Sequence, residues 1–249
     1  MEKISVIIIT KNEEIDIINC LESVKWADEI IIVDSESRDN TISLAKKYTD
    51  KIYIKKWTGF APQKSYALSL ASNGWVLSID ADEVITDELK NEILNLDFSS
   101  ADGYYIKRRI YFLGKLITSK IFDRDYQLRL FRKSKTHVIN VPVHEGFEVN
   151  GTIKKLNNYL NHFTYSNLHE AIEKINLYST LSAEKKAKDK KITGFSIFSH
   201  SISAFAKFFI SYKGYKDKMH GFLVSWLHSF ITMQIYMKAW EIQNKKNHD

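Results

Sequence analysis

Three carboxylates close an apolar segment in the first third of the chain. The run Val76–Ile79 is followed by Asp80, Ala81, Asp82 and Glu83. In a parallel sheet, ligands bind at the carboxyl ends of the strands, and two Asp side chains one residue apart can both reach a hard divalent cation. Such a cation can neutralise a pyrophosphate. The alternative is an ordinary turn from a strand into a helix, since Asp is common in turns.

A further acid and a lysine are candidates for the same edge of the sheet. Asp34 ends a second apolar run, so in a parallel sheet it lies on one rim with Asp80 and Asp82. Residues 10–14 contain no glycine and the chain has no GxxxxGK[ST] segment, which argues against Rossmann dinucleotide and P-loop sites. Phosphates would therefore be held by a metal and by side chains. Lys64, at a predicted helix start, is a candidate phosphate contact, with an ordinary surface lysine as the alternative.

The elements that must position these residues follow a βαβαβαβα pattern. β-branched runs are typical of buried parallel strands, and Pro62 and Thr86 are typical of helix starts. The pattern predicts an α/β fold with a mostly parallel, doubly wound sheet flanked by helices. Strands are predicted at 4–10, 29–34, 51–55, 76–80, 104–112 and 126–131, and helices at about 13–24, 42–47, 62–71, from 86, and at 168–191.

The last third of the chain differs in composition from the rest. Residues 151–249 hold 15 Lys and no Arg against 7 acidic residues, whereas residues 1–150 hold 21 basic and 23 acidic residues. From Phe195 onward, aromatic and apolar residues recur at helical spacing between lysines, and no run reaches the roughly 18 apolar residues that span a bilayer. The pattern predicts interfacial helices. The alternative is that these helices pack on the catalytic domain or on a second subunit.

The composition restricts the class of protein and its compartment. The 249 residues, 44% of them hydrophobic, are enough for one large domain with an appendage. Cys20 is the only cysteine and cannot form an internal disulfide, which favours a reduced cytoplasmic setting. The segment before Lys11 has too few apolar residues for a signal-peptide core or a membrane span. We therefore expect a cytoplasmic protein.

Five segments occur together in the order and spacing of family 2 glycosyltransferases. They are Ser5–Glu13, Ile32–Ser35, Asp39–Thr41, Gln63-Lys64 and Asp80–Glu83. The sequence therefore resembles this family, which has the GT-A fold. Further downstream, three segments resemble the branch that includes lipopolysaccharide core β-glucosyltransferases: Gln127–Phe131, Pro142–Glu145 and Lys213–Asp217.

The resemblance implies a reaction and a role for several residues. It implies a nucleotide-sugar donor, with UDP preferred, Mg²⁺ or Mn²⁺ as the cofactor, and inversion at the anomeric carbon. Asp34 would accept hydrogen bonds from the base, with Thr10 and Glu13 near the nucleotide. Asp80 would contact the ribose or the sugar. Asp82 would bind the catalytic metal, which stabilises the diphosphate leaving group.

Three further candidates come from the second half of the chain. Glu145 falls where the family places its later acidic catalytic residue, so it is the candidate general base, with a surface turn as the alternative. His162 resembles a histidine that some relatives use as an extra metal ligand, and a structural histidine is the alternative. Arg129 is a candidate contact to a donor or acceptor phosphate. Strict strand alternation places Arg129 with Phe131 on one face and Arg132 on the other.

Two other classes of function fit part of the sequence. Residues 80–84 also fit the DxDx[TV] motif of haloacid-dehalogenase-type phosphohydrolases, with Asp80 as the phosphorylated nucleophile. That motif is expected on the first strand of its domain, whereas three predicted strands precede it here. A non-catalytic nucleotide-binding or lipid-binding relative is the third option. Nucleic-acid binding is disfavoured because no recognition motif accompanies the basic residues.

Together these patterns predict a transferase in two parts. Residues 1–165 would form the GT-A nucleotide-sugar-binding and catalytic domain, and residues 166–249 a helical appendage that contacts a membrane or forms a homodimer. A basic and aromatic appendage fits an acceptor embedded in a membrane. We expect a peripheral enzyme on the inner face of the cell membrane that transfers a sugar to a lipid-linked saccharide such as lipopolysaccharide core.

Overall fold

Four parallel strands follow one another in the first third of the chain. The computed structural model describes residues 2–139, 146–188 and 191–245. β1 lies between β2 and β4, with Thr10 opposite Asp34 and Ile9 opposite Asp80, so the carboxyl ends of these strands lie side by side as predicted. The strands are β1 (Ile4–Thr10), β2 (Glu29–Asp34), β3 (Ile52–Ile54) and β4 (Trp75–Asp80).

Helices connect these strands, as the alternating pattern predicts. They are α1 (Ile17–Val24), α2 (Thr41–Ala45), α3 (Phe60–Leu70) and α4 (Asp87–Leu94), and a short strand, β5 (Glu83–Ile85), lies between β4 and α4. The Thr86 hydroxyl accepts the Leu89 N–H at the start of α4. Asp87 and Glu88 in the first turn further stabilise this helix N-terminus.

The second half of the sheet is antiparallel. Its strands are β6 (Gly103–Phe112), β7 (Lys115–Leu116), β8 (Tyr126–Arg132) and β11 (Ile153–Tyr165), and β9 (Thr136–Ile139) pairs separately with β10 (Gly146–Val149). Within the described residues the main sheet has nine strands, in the order β3-β2-β1-β4-β8-β6-β11-β5 with β7 on β6. This mixed sheet with flanking helices confirms the predicted α/β class. The sequence did not predict β5, β7, β9, β10 or β11.

A β-bulge interrupts the pairing of β6 with β8. Consecutive residues of β6 pair with Leu130 and with Leu128, so Arg129 is the extra residue on β8. Leu128 and Phe131 accordingly pack in one hydrophobic cluster and Leu130 in another. The strict alternation expected for this strand is therefore wrong. Bulges re-aim side chains and are frequent beside active sites.

Both faces of β1, β2 and β4 are buried. Alternate side chains enter two hydrophobic clusters, one with α1 and α4 and the other with α3. This explains why the strands are continuous β-branched runs with no polar face. The first cluster includes Val6, Ile8, Leu77 and Ile79, and the second includes Ile7, Ile31, Val33 and Val76.

The chain divides into two compact units, Met1–Arg109 with Arg124–His162, and Ile110–Asp123 with Phe163–Asp249. The core of the second unit includes Phe112, Ile175 and Leu227. In the part of the chain that the structure describes, no helix is both long and apolar enough to cross a membrane. The helices of this unit are α5 (Leu168–Lys186), α6 (Gly194–Ala206), a π-helical turn (Lys207–Ser211), a 3₁₀ turn (Gly214–Asp217) and α7 (Lys218–Lys245).

Candidate active site

The loops that follow β1 and β2 are joined by hydrogen bonds. The Asn12 N–H donates to Ser37 Oγ at 2.8 Å, and the Arg38 N–H donates to Asn12 Oδ1 at 2.9 Å. The Glu13 N–H donates to Thr41 Oγ1 at 2.8 Å. The two motif segments that the sequence places after these strands therefore meet at one end of the sheet.

Thr10 and Asp34 lie opposite each other where β1 and β2 end. Asp34 is fully buried, and its carboxylate accepts the Ser37 N–H at 2.8 Å and the Ser37 hydroxyl at 2.5 Å. The buried Thr10 hydroxyl has no hydrogen-bond partner among the described residues. Because an unpaired buried hydroxyl is unfavourable, Thr10 is a ready partner for a ligand or a water molecule.

Asp80 is held by two cations at the end of β4. Its Oδ2 accepts from Arg129 Nη2 at 2.5 Å, and its Oδ1 lies 3.8 Å from Lys64 Nζ. Burial alone would raise the pKa of Asp80, but the charges of Arg129 and Lys64 outweigh it and hold that pKa well below its usual range. Asp80 is therefore ionised at neutral pH, and neighbouring cations balance its charge.

Glu83 accepts hydrogen bonds from three groups in the interior of the first unit. It is fully buried and accepts from Arg129 Nη2 at 2.5 Å and from Arg108 Nη1 at 3.4 Å. Its other oxygen accepts the Asp80 N–H at 2.9 Å. Arg108 also donates two hydrogen bonds to the carboxylate of Asp125, at 3.0 and 2.9 Å. Sequence reasoning missed Arg108 and Asp125 and treated Glu83 only as part of a motif.

Asp82 and His162 meet across the sheet. Asp82 Oδ2 lies 3.2 Å from His162 Nε2, and the two side chains are 16% and 15% exposed. Pairing of β11 with β5 places His162 opposite Glu83 and so brings it to this turn. Burial would lower the pKa of His162, but the hydrogen bond and charge of Asp82 raise it above its usual value. Within the described residues, no group of three or more His, Cys, Asp or Glu is placed to hold a metal ion.

The acidic groups at this rim form one electrostatic cluster around Cys20. Burial is the main cause that raises the pKa of the Cys20 thiol, and the charges of Glu83, Asp82, Asp80 and Glu13 raise it further. The thiol is therefore protonated and unreactive at neutral pH. The predicted residues Glu13, Asp80 and Asp82 thus each lie within electrostatic reach of Cys20.

Lys64 borders a pocket beside Asp80. A cavity of about 140 Å³ is lined by Lys64, Arg129, Tyr105, Tyr126 and Gln127, among others. The preceding residue of α3, Gln63, is fully buried and is used structurally, because its amide donates to Ser35 Oγ and to the carbonyl oxygens of Lys55 and Lys56.

Of two further candidates, Glu145 and Arg132, the structure describes only Arg132. Glu145, with the segment Pro142–Glu145, lies outside the described residues. Arg132 lies 3.5 Å from Asp102 and stacks on the ring of Trp75, so it serves a different part of the molecule from Arg129.

The order of these residues along a mixed sheet matches one protein family. The sequence model of the glycosyl transferase family 2 matches residues 5–155, which contain the rim, Lys64 and Arg129. The chain belongs to glycosyltransferase family 2. It is a nucleotide-sugar transferase. Family membership argues against the phosphohydrolase and binding-only interpretations of Asp80.

Two relatives of this family 2 glycosyltransferase cover most of its length. An uncharacterized glycosyltransferase of Rickettsia typhi is 34% identical over 98% of this chain and 89% of its own. The lipopolysaccharide core biosynthesis glycosyltransferase LpsC of Rhizobium meliloti is 34% identical over 76% of this chain and 73% of its own.

Solved structures share the fold of this family 2 glycosyltransferase. S. aureus TarS 1-349 in complex with UDP-GlcNAc is 16% identical, with a TM-score of 0.51 and coverage of 99% of this chain and 92% of its own. The mannosyltransferase PcManGT of Pyrobaculum calidifontis, in complex with GDP-Man and Mn²⁺, is 15% identical, with a TM-score of 0.51 and coverage of 100% and 88%. These similarities establish a GT-A-like fold.

Proposed function

We propose that this glycosyltransferase is metal-dependent and inverting, and that it transfers a sugar from a UDP-sugar to a lipid-linked saccharide such as lipopolysaccharide core. The observation that carries the proposal is the contact between Asp82 and His162, 3.2 Å apart beside an Asp80 whose charge Arg129 and Lys64 balance. This arrangement provides one carboxylate and one imidazole as metal ligands, at the edge of the sheet where the loops after β1 and β2 meet.

Asp82 and His162 fit a divalent cation that a diphosphate helps to hold. Mg²⁺ and Mn²⁺ at phosphate sites are usually bound by one or two carboxylates together with phosphate oxygens, so a two-residue protein site is sufficient. When bound there, Mg²⁺ or Mn²⁺ would neutralise the charge that grows on the diphosphate leaving group. The Mn²⁺ in the mannosyltransferase complex named above supports this choice of metal.

The nucleotide would bind to the loops after β1 and β2. Thr10 has an unpaired buried hydroxyl, Asp34 presents a buried carboxylate at the adjacent strand end, and Glu13 lies in the same loop as the Asn12–Ser37 contact. We assign the base to Asp34, contacts near the nucleotide to Thr10 and Glu13, and the ribose or the sugar to Asp80. The UDP-GlcNAc bound to TarS supports a uridine donor.

Lys64 would act on the diphosphate through its charge, and Arg129 would position the neighbouring carboxylates. Lys64 Nζ lies 3.8 Å from Asp80 and borders the pocket beside it, so its ammonium is available to a phosphate oxygen. Arg129 Nη2 donates to both Asp80 and Glu83, so we assign Arg129 to positioning those carboxylates. Inversion also requires a general base for the acceptor hydroxyl, and Glu145 remains our candidate.

A lipid-linked acceptor is supported by the relative LpsC and by the surface of the second unit. LpsC is named for lipopolysaccharide core biosynthesis. Phe195, Phe198 and Ile202 recur along one side of α6 and are 83%, 66% and 67% exposed. Exposed aromatic and aliphatic side chains at this spacing are typical of helices that lie in a membrane interface. We therefore place the enzyme peripherally on the inner face of the cell membrane.

Calorimetric titration with UDP, with and without Mn²⁺, tests the donor and metal sites. We expect Mn²⁺ to strengthen UDP binding by about tenfold or more and Asp82→Asn to abolish that enhancement, because the metal loses its carboxylate. His162→Gln should weaken the enhancement in the same direction. Asp50→Asn, which changes an exposed aspartate before β3, is the matched control and should behave as the wild type.

Each alternative result contradicts a separate part of the proposal. Equal UDP binding with and without Mn²⁺ would contradict the proposed metal-binding role of Asp82. Metal-dependent binding of GDP in place of UDP would support the proposed metal site but would identify guanine as the base of the donor.

A further inference from the structure

One face of the antiparallel strands carries cations arranged over tyrosine rings. Lys107 of β6 is the direct cross-strand partner of Tyr126 of β8, so the two side chains share a face. Lys155 and Tyr159 of β11 reach the same face, as their contacts with Tyr126 and Lys107 show. We call Lys107, Tyr126, Lys155 and Tyr159 the tyrosine–lysine face, and all four residues belong to the first unit.

The rings hold these ammonium groups in place. Lys155 Nζ lies 4.2 Å from the centre of the Tyr126 ring, and Lys107 Nζ lies 5.9 Å from that ring and 5.6 Å from the Tyr159 ring. The guanidinium carbon of Arg109 lies 4.3 Å from the centre of the Tyr159 ring. Cation–π contacts of this kind order otherwise flexible side chains without neutralising their charge.

The two lysines keep their positive charge available. Among the described residues, neither Lys107 nor Lys155 forms an ion pair with a carboxylate. Hydrogen bonds with its own N–H and with Thr86 lower the pKa of Glu88, and the charge of Arg109 lowers it further. Two ammonium groups over one tyrosine ring, neither in an ion pair among the described residues, attract an anion, and the tyrosine rings suit the apolar faces of a sugar.

The face continues into the active site. Tyr126 borders the 140 Å³ pocket together with Lys64 and Arg129, the two residues that hold Asp80. The nucleotide loops follow β1 and β2, whereas the tyrosine–lysine face lies on β8, β6 and β11, in the other half of the sheet. A ligand on this face would therefore approach the pocket from the side away from the nucleotide.

We propose that the tyrosine–lysine face binds a phosphate or carboxylate group on the acceptor saccharide. The assignment rests on the proposed transfer to a saccharide and adds that the saccharide is anionic. Lys107 and Lys155 would bind the anion, and Tyr126 and Tyr159 would hold the amines and line the path to the pocket. A neutral saccharide would gain nothing from the two ammonium groups, so the face would select charged acceptors.

Titration in the presence of saturating UDP and Mn²⁺ tests the proposal, because the nucleotide then occupies its own phosphate site. The probes are glucose 6-phosphate, glucuronate and glucose, followed by NMR or calorimetry. We expect glucose 6-phosphate or glucuronate to bind at least tenfold more tightly than glucose, and the preference to weaken as salt rises. Whichever charged probe binds more tightly identifies the anion as a phosphate or a carboxylate.

Variants locate the binding. Lys107→Ala with Lys155→Ala should reduce binding of the charged probe at least tenfold. Lys154→Ala, an exposed neighbour on β11 whose side chain points to the opposite face by strand alternation, is the matched control. Thermal melting of each variant shows that it is folded, and unchanged UDP binding shows that the donor site is intact.

The outcomes separate this inference from the proposed function. Equal binding of glucose and the charged probes, or undiminished binding in the double variant, would overturn the acceptor assignment and leave the donor-site proposal unaffected. Failure of the wild type to bind UDP or any other nucleoside diphosphate would overturn the proposed function instead.

Discussion

At the scale of single residues, a buried guanidinium joins two active-site carboxylates. Arg129 is 3% exposed and bonds Asp80 and Glu83 at 2.5 Å each. Removing one partner of a buried ion pair leaves an uncompensated charge and costs about 3–5 kcal/mol. We expect Arg129→Ala to lower the free energy of unfolding by that amount in a denaturant titration, and Arg129→Lys by less because the charge remains.

Arg124→Ala provides the control for this prediction. Arg124 is exposed and precedes the same strand, so its loss should change the free energy of unfolding by no more than about 0.5 kcal/mol. Equal stability of the Arg129→Ala and Arg124→Ala variants would show that the buried ion network contributes nothing to folding.

Some of this site follows from sequence and some does not. Asp80 and Asp82 are adjacent to a recognisable strand, so their place on the rim is a local property. His162 is 80 residues from Asp82, and their contact depends on pairing of β11 with β5. The reach of Arg129 depends on a bulge that only the register of β6 with β8 defines. Long-range strand pairing is not encoded in local periodicity, so these contacts require the structure.

At the scale of elements, Glu29 joins three strands at the end of the sheet opposite the site. Its carboxylate accepts hydrogen bonds from Ser5 of β1, from Lys51 just before β3, and from the N–H and hydroxyl of Ser72 before β4. Burial would raise the pKa of Glu29, but these hydrogen bonds lower it from 4.5 to about 2. The charged form therefore stabilises the fold.

The pH dependence of stability follows from this shift. Because the folded-state pKa is lower than the unfolded one, the contribution of Glu29 is complete above about pH 4.5 and is lost as the pH falls to about 2. We expect Glu29→Gln to lower the free energy of unfolding by about 3 kcal/mol at pH 7 and by much less at pH 3. Urea titrations at both pH values measure the difference.

Glu22→Gln is the matched control for Glu29→Gln. Glu22 pairs with Lys25 on an exposed part of α1, where solvent screens the charges, so the variant should match the wild type at both pH values. A loss at Glu29 that stays the same at pH 7 and pH 3 would contradict the assigned role of its charge.

Gly221 near the start of α7 tests how closely two elements of the second unit pack. A Cβ at this position would overlap the carbonyl oxygen of Gly214 in the 3₁₀ turn. We expect Gly221→Ala to destabilise the protein by about 1–3 kcal/mol, read as a lower melting temperature. Gly194→Ala is the control, since nothing lies within 4 Å of a Cβ there. Equal melting temperatures would show that the turn can move aside.

The elements differ in how well the sequence predicts them. The four βα units have continuous apolar strands and recognisable helix starts, so their order was predicted correctly. β11 was not predicted because its sequence has no clear period of two. Only Leu156 and Leu160 are buried among its 13 residues. Lys154 and Lys155 precede Leu156, and Asn157, Asn158 and Tyr159 lie between the two leucines. Such a strand is defined by its partners, β6 and β5, rather than by its own pattern.

At the scale of the whole molecule, positive charge and exposed aromatic surface coincide in the second unit. The rings of Phe205, Phe209 and Phe222 contact one another at centroid distances of 5.3 to 6.1 Å, and Tyr215 joins them. Four lysines lie in the same segment: Lys207, Lys213, Lys216 and Lys218. We call these rings and lysines the aromatic–lysine patch.

The acidic residue of this segment does not offset the lysines at the surface. Asp217 is buried, and its carboxylate accepts the N–H groups of Thr118 and Ser119 at 2.9 Å each and the Thr118 hydroxyl at 2.7 Å. Within the described ranges, none of the four lysines forms an ion pair, so the patch combines aromatic rings with positive charge. Two copies of one positively charged patch repel each other, which favours an anionic partner over a second copy of the chain.

Co-sedimentation with vesicles distinguishes these two partners. We expect the protein to bind vesicles that contain anionic lipid at low salt, to leave neutral vesicles unbound, and to dissociate as salt rises. Each lysine near an anionic surface is worth about 1 kcal/mol, so changing all four to Gln should weaken binding by roughly a thousandfold. The control changes Lys3, Lys11, Lys46 and Lys47, four lysines of the first unit, to Gln. The opposite result would be a wild-type protein that does not bind vesicles and forms a dimer that Phe222→Ser dissociates. That result would assign the patch to self-association, because burial between subunits would then account for its aromatic residues.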